Sequence, residues 1–170
     1  YEKLGPGGKL YPCPDPEGSD GTVVMFGDSF PTADGRARFV PAEHVGGDEQ
    51  PDAEYPFVLV TGRILEHWHT GVMTRRSHTL HAIEPQAFVE INEEDCDRLG
   101  FKDGEFVRVA SRRGEIHAPV RRSRGSQPGT VFVPFHFREA GANLLTTDRL
   151  DPFGKIPEFK FCAVKVERDE

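Results

Sequence analysis

The densest group of chemically capable side chains is the run Thr61, Gly62, Arg63, Ile64, Leu65, Glu66, His67, Trp68, His69, Thr70, which continues through Gly71 to Arg75 and Arg76. Hydroxyls and backbone amides donate to phosphate oxygens, Gly62 would let the backbone approach a phosphate, and a carboxylate such as Glu66 accepts from a guanine edge or a ribose hydroxyl. The set therefore suits a nucleotide. His67 and His69 are two residues apart, so in an extended loop both imidazoles point the same way and could share an ion. No third ligand is indicated, which makes hydrogen-bonded or packed histidines the stronger reading and leaves the metal site as none. Trp68 serves either as a packing residue or as a platform for a flat ring.

These groups need elements to hold them. Pro56-Phe57-Val58-Leu59-Val60 is a continuous apolar run that predicts a strand buried on both faces, and the polar loop leaves directly from its end. Residues 63–85 read as one loop. Ala87–Ile91 predicts a second strand, after which Asn92 can cap a helix over Glu93–Leu99 that Gly100 terminates. Beyond Lys102-Asp103-Gly104, Glu105–Ser111 alternates with period two and turns through Arg112-Arg113-Gly114 into Glu115–Val120, a hairpin. Thr130–Phe135 and Phe159–Val166 predict the last two strands. One short helix among so many strands points to a small closed β-barrel rather than a Rossmann sheet.

The barrel is expected over residues 55–170. Residues 1–54 read as an extended N-terminal arm and linker: a strand or two near Gly21–Phe26, a short hairpin over Phe30–Val40 turned at Asp34-Gly35, and an acidic linker over Glu43–Glu54. No internal repeat is visible.

Composition limits the function. A net charge of -7 makes a general nucleic-acid surface a poor fit, whereas local arginine pairs suit a single phosphorylated ligand. For Arg112, Arg113, Arg121, Arg122 and Arg124 the simpler reading is solvated hairpin positions; Arg75 and Arg76 are open to either. Cys13, Cys96 and Cys162 lie far apart without a C-x-x-C pair, so neither an iron-sulfur cluster nor a structural zinc site is encoded, and the odd count fits reduced thiols. No apolar run is long enough for membrane insertion. A cytoplasmic protein is expected, with the periplasm left open because the chain begins at Tyr1 rather than Met.

Three ordered blocks carry a resemblance. TGRILEHWHTGVMTRRS, VEINEEDCDRLGFKDGEFVRVASRRGEI and VFVPFHFREAGANLLTTDRLDPFGKIPEFKFCAVKV resemble, in order and spacing, the last domain of the bacterial molybdopterin oxidoreductases, which include formate dehydrogenases and nitrate reductases. The match runs from about Tyr55 to Val166, and Tyr11–Pro14 with Phe30–Phe39 resembles the segment leading in. The unit from Phe88 to Val109 also resembles the half-unit of double-psi barrels.

The resemblance implies a mainly β fold with one or two short helices, a double-psi (aspartate decarboxylase-like) β-barrel. It implies that the Thr61–Thr70 loop, Asn143 and Lys160 contact a molybdopterin guanine dinucleotide, and that Phe135 lies near the substrate funnel. The bland alternatives are a barrel-core aromatic for Phe135, a turn former for Asn143 and a snorkelling strand residue for Lys160. The run Phe135–Ala140, with Asn143–Thr146 and Asp151-Pro152, looks more like formate dehydrogenases than nitrate reductases. The family's metal-binding cysteine or selenocysteine and its iron-sulfur motif are missing here. The resemblance therefore implies upstream catalytic domains or a subunit, including an iron-sulfur domain, as partners. It also implies that this chain alone is inactive. Two alternatives stay open: nitrate reduction with the same cofactor, and a non-catalytic double-psi barrel that binds proteins.

Overall fold

The computed structural model describes residues 2–169; Tyr1 and Glu170, the ends of the expected arm and barrel, lie outside them. The chain divides into two compact units after His44.

The first unit is held by local turns. Leu10 N–H donates to the Asp20 carbonyl at 2.9 Å, Thr22 N–H to Pro12 at 3.1 Å, and Lys9 pairs with Asp20 at 2.7 Å. The strands expected near Gly21–Phe26 and over Phe30–Val40 are absent among the described residues. Of the hairpin only its turn forms: Gly35 has φ +69° and its N–H donates to Thr32 O at 3.1 Å. A lone pair of short strands with no third strand or helix to cover its apolar face is marginal in water. Val23, Val24 and Phe39 accordingly stay exposed.

The second unit is a closed six-stranded barrel. Its strands are β1 (Phe57–Gly62), β2 (Val89–Asn92), β3 (Phe106–Ala110), β4 (Glu115–Ser123), β5 (Thr130–Pro134) and β6 (Cys162–Arg168). They lie in the order β1-β5-β2-β4-β3-β6, and β6 closes on β1. Two neighbouring pairs are parallel, β1 with β5 and β2 with β4; all others are antiparallel. Exchanging β1 with β4, β2 with β5 and β3 with β6 reproduces the same ring of neighbours. The barrel thus consists of two interlocked halves of equivalent topology, the double-psi architecture.

Alternation along the strands sends Leu59, Val89, Ile91, Val107, Val109, Val131, Val133 and Val164 inward with no exposed surface. Each such valine, leucine or isoleucine contributes about 1.5–3 kcal/mol of burial. The strand expected to be buried on both faces, β1, is instead buried on alternate residues, because Val58 and Val60 stay partly exposed. A closed barrel has only one dry side, whereas an α/β sheet has two.

The helix α2 (Glu93–Leu99) follows β2 with no intervening residue. The Asn92 side chain accepts from Glu94 N–H at 2.8 Å, and Gly100 ends the helix in the left-handed region at φ +75°, which a side chain would strain. The segment read as one loop, 63–85, contains a 3-10 turn (Thr74–Arg76) and a second helix, α1 (His78–Ile83), capped by Ser77. At six residues α1 is too short to leave a periodic trace in the sequence.

Residues 45–54 fasten to the barrel unit rather than running free. Glu49 accepts from Arg113 and from Ala163 N–H, and Asp52 pairs with Arg112 at 2.5 Å. The hairpin arginines are correspondingly not bare: Arg121 pairs with Glu84, Arg122 with Asp97 and Arg124 with Glu93. Among the described residues no helix is long and apolar enough to cross a membrane.

Candidate functional site

The parallel pairing of β1 with β5 sets Gly62 beside Pro134, and Phe135 N–H donates to Gly62 O at 3.2 Å. Both strands therefore discharge their chains at the same end of the barrel. The connections that leave there, 63–88 and 135–161, are the two longest in the barrel, and between them lies a cleft of about 860 Å³.

Gly62, Arg63, His69, Thr70, Phe135, Asn143 and Lys160, seven of the residues singled out in the sequence, line this cleft. Thr146, Pro157 and Phe159 line it too and were not foreseen. They sit in irregular stretches and have no distinctive chemistry; the adjacency of Phe159 to Lys160 was the one available signal.

Other members of the Thr61–Thr70 run serve the scaffold. Thr61 is buried and its hydroxyl donates to the Phe159 carbonyl at 2.6 Å, so it fixes the backbone beside Lys160 rather than facing the cleft. Ile64 packs against the core, while Leu65 and Glu66 lie outside the cleft lining. His67 is fully buried, with Nδ1 3.2 Å from Thr74 Oγ1 and Nε2 2.8 Å from the Glu84 carbonyl. Both ring nitrogens are thereby engaged, and neither faces His69. Among the described residues no group of three or more His, Cys, Asp or Glu could hold a metal ion.

Trp68 is a platform, but its occupant is Arg63, whose guanidinium carbon lies 4.6 Å from the ring centroid. This contact aims the arginine by a cation–π attraction. Gly62, which lines the cleft, has a further reason to be glycine: a Cβ there would stand 2.7 Å from the ring of Phe132 on the neighbouring strand. The glycine makes room for an aromatic side chain.

The electrostatics separate the cleft from its surroundings. Arg75 forms a bidentate pair with Glu139 at 2.9 and 2.7 Å, whereas Arg63 and Lys160 have no carboxylate partner among the described residues. Behind the cleft His136 is 2% exposed; its Nδ1 lies 2.9 Å from the His69 carbonyl and its Nε2 has no partner. Burial holds the His136 imidazole below its ordinary pKa, so the neutral ring donates from Nδ1. That bond steadies His69, whose φ of +50° is rare for a side chain other than glycine. His136 was not singled out in the sequence, where it sits within an aromatic strand end.

The topology and the cleft define a barrel built to hold a ligand at one end. A family described as the molydopterin dinucleotide binding domain matches residues 57–163. The chain belongs to this family. It is similar to the F420-dependent formate dehydrogenase subunit alpha of Methanocaldococcus jannaschii, at 46% identity over 99% of this chain and 25% of that protein. It is 38% identical to a periplasmic nitrate reductase of Desulfovibrio desulfuricans over 95% of this chain and 23% of that one. The chain thus spans about a quarter of the length of the curated relatives it matches. Among solved structures, acetylene hydratase from Pelobacter acetylenicus shares the fold with a TM-score of 0.62 over 68% of this chain and 19% of that one, at 18% identity.

Proposed function

We propose that this chain seats a molybdopterin guanine dinucleotide in a molybdenum- or tungsten-dependent oxidoreductase of the formate dehydrogenase type, with residues 55–170 as the holding domain and 1–54 as its leading arm. The observation that carries the reading is the convergence of Arg63, Thr70, Asn143 and Lys160 on one cleft whose two cations have no carboxylate partner among the described residues. Such a donor set fits the group: the cations neutralise pyrophosphate, the Asn143 amide both donates and accepts along a guanine or pterin edge, and His69 and Phe135 offer flat faces. When bound, the cofactor supplies two-electron chemistry at its metal. The share of this chain is to orient the dinucleotide, exclude water from it and offset its charge. The protein ligand to the metal and an iron-sulfur relay belong to partner domains or a partner subunit. Three unpaired cysteines support a reducing, cytoplasmic setting.

The test is to produce the chain together with the further domains its relatives carry, and to identify by mass the small molecules it releases on denaturation. A pterin guanine dinucleotide is expected, and its loss is expected in the Arg63→Ala/Lys160→Ala double variant. Its absence from the wild type would leave a protein-binding barrel as the better reading. Offering formate and nitrate in turn then decides the substrate. Turnover of nitrate alone would move the protein to the other branch, and formate oxidation by the isolated chain would show that catalytic groups lie within it.

A further inference from the structure

One wall of the cleft contains no strand. Asn143 and Thr146 line it, yet they belong to a 3-10 turn (Ala142–Leu144) and the irregular residues that follow. Something outside the barrel ladder has to hold that wall.

We infer that Arg113 and Glu49 form a tether that positions this wall, and that they are positioning residues for the ligand without touching it. Arg113 leaves the turn between β3 and β4. Its Nε and one terminal nitrogen donate to the carbonyl of the fully buried Leu145 at 3.1 and 2.8 Å. Its terminal nitrogens also grip both oxygens of Glu49 at 2.5 and 2.9 Å. Glu49 in turn accepts from Ala163 N–H at 2.8 Å, in β6. One guanidinium thus ties residue 145, between the cleft residues Asn143 and Thr146, to a carboxylate that is itself bonded to the barrel.

A second observation points the same way. A Cβ at Gly114 would lie 2.9 Å from the Leu144 carbonyl, so the β3–β4 turn is pressed against the wall too closely for any side chain. The Cys162 thiol adds a third donor to Leu145 O at 3.4 Å. The charges match the role: Glu49 and Arg113 side chains are only 16% and 26% exposed, and the hydrogen bond from Arg113 holds the Glu49 carboxyl below its ordinary pKa. An arginine is required, because its planar fork can serve a carboxylate and a carbonyl at once, whereas a lysine offers one point charge.

The consequence for the ligand rests on the dinucleotide reading above; the tether itself does not. Arg113→Lys keeps the charge opposite Glu49 and removes the fork, and Glu49→Gln keeps the shape and removes the charge. Both are compared with wild type, in the 170-residue chain, by amide hydrogen exchange and by titration with guanosine diphosphate as the probe. Exchange at the Leu144 and Leu145 amides is expected to accelerate about tenfold or more in both variants, with Val107 and Val109 in β3 unchanged. Guanosine diphosphate affinity is expected to fall about tenfold. Unaltered exchange at Leu144 and Leu145, or acceleration spread equally over the barrel, overturns the tether. Accelerated exchange with undiminished affinity overturns its importance to the ligand. Failure of the wild-type chain to bind the probe overturns the dinucleotide reading and with it the ligand half of this inference, while the exchange result still decides the tether.

Discussion

The barrel contains the same joint twice. Its internal symmetry relates the parallel pair β1/β5 to the parallel pair β4/β2, so the end at Gly62 and Pro134 is equivalent to the end at Asn92 and Ser123. At the second end the exits are spent on the fold. Asn92 caps α2 and donates to Ser126 O at 2.7 Å, Ser126 donates to Glu90, and Arg124 and Arg122 pair with Glu93 and Asp97. At the first end the exits are long, Arg63 and Lys160 have no carboxylate partner among the described residues, and a cleft opens between the exits. One backbone geometry thus gives a closed corner or a ligand site, depending on whether its polar groups satisfy one another. The comparison separates groups that contribute to stability from groups kept available for a ligand.

The sharpest way to break that separation is at the closed end. Ile91 in β2 is fully buried, and Ile91→Ala is expected to cost about 3 kcal/mol of unfolding free energy in urea titration. The folded fraction should bind guanosine diphosphate as the wild type does. A weaker intrinsic affinity in the protein that remains folded would mean the two ends are not independent.

Next comes the open end. Arg63→Ala/Lys160→Ala is expected to weaken guanosine diphosphate binding by about a hundredfold, roughly 2.7 kcal/mol. Its unfolding free energy should change by no more than about 0.5 kcal/mol, because neither cation has a carboxylate partner among the described residues to abandon. A large loss of stability would show that these residues serve the fold.

This contrast also decided what could be read from the sequence. The closed corner was legible because each of its parts carries a local signature: an asparagine cap, a left-handed glycine at Gly100, the Asp103-Gly104 turn and the alternation of Val107, Arg108 and Val109 in β3. The open end left few such marks. Helix α1 is short, and the wall around Asn143 is set by a contact between residues 113 and 145, which no local pattern encodes. Six of the ten residues in the Thr61–Thr70 run do not line the cleft, because a loop that curls through a left-handed residue at His69 does not keep the alternation of an extended chain. Only one half of the symmetric pair, Phe88–Val109, was legible, because the equivalent connection of the other half, 135–161, is about twice as long as 93–105 and carries no similar local pattern.

A smaller effect tests the cap. Asn92→Ala removes the bond to Glu94 N–H and strands the Ser126 carbonyl, and is expected to cost about 1 kcal/mol by urea titration, again with unchanged nucleotide affinity. Asn92→Asp should recover the cap and not the Ser126 contact, which makes its stability intermediate.

The smallest effect belongs to pH and distinguishes two groups behind the cleft, His136 and Glu49, by the window in which each acts. Burial lowers the His136 pKa in the folded chain below its ordinary value of 6.5, so the unfolded chain takes up the proton more readily. The contribution of the neutral ring is therefore complete above about 6.5, where both forms are uncharged, and is lost as pH falls through the lowered folded value. Glu49, also lowered, acts in a more acid window: its contribution is present above its ordinary value of 4.5 and lost as pH falls further. Between pH 7.5 and 5.5 the chain should then lose stability through His136 and not through Glu49. His136→Asn, which keeps a donor near the His69 carbonyl and cannot titrate, should flatten that part of the profile, whereas Glu49→Gln should leave it unchanged. An unaltered slope in His136→Asn would place the responsible proton elsewhere and detach the buried imidazole from the cleft it backs.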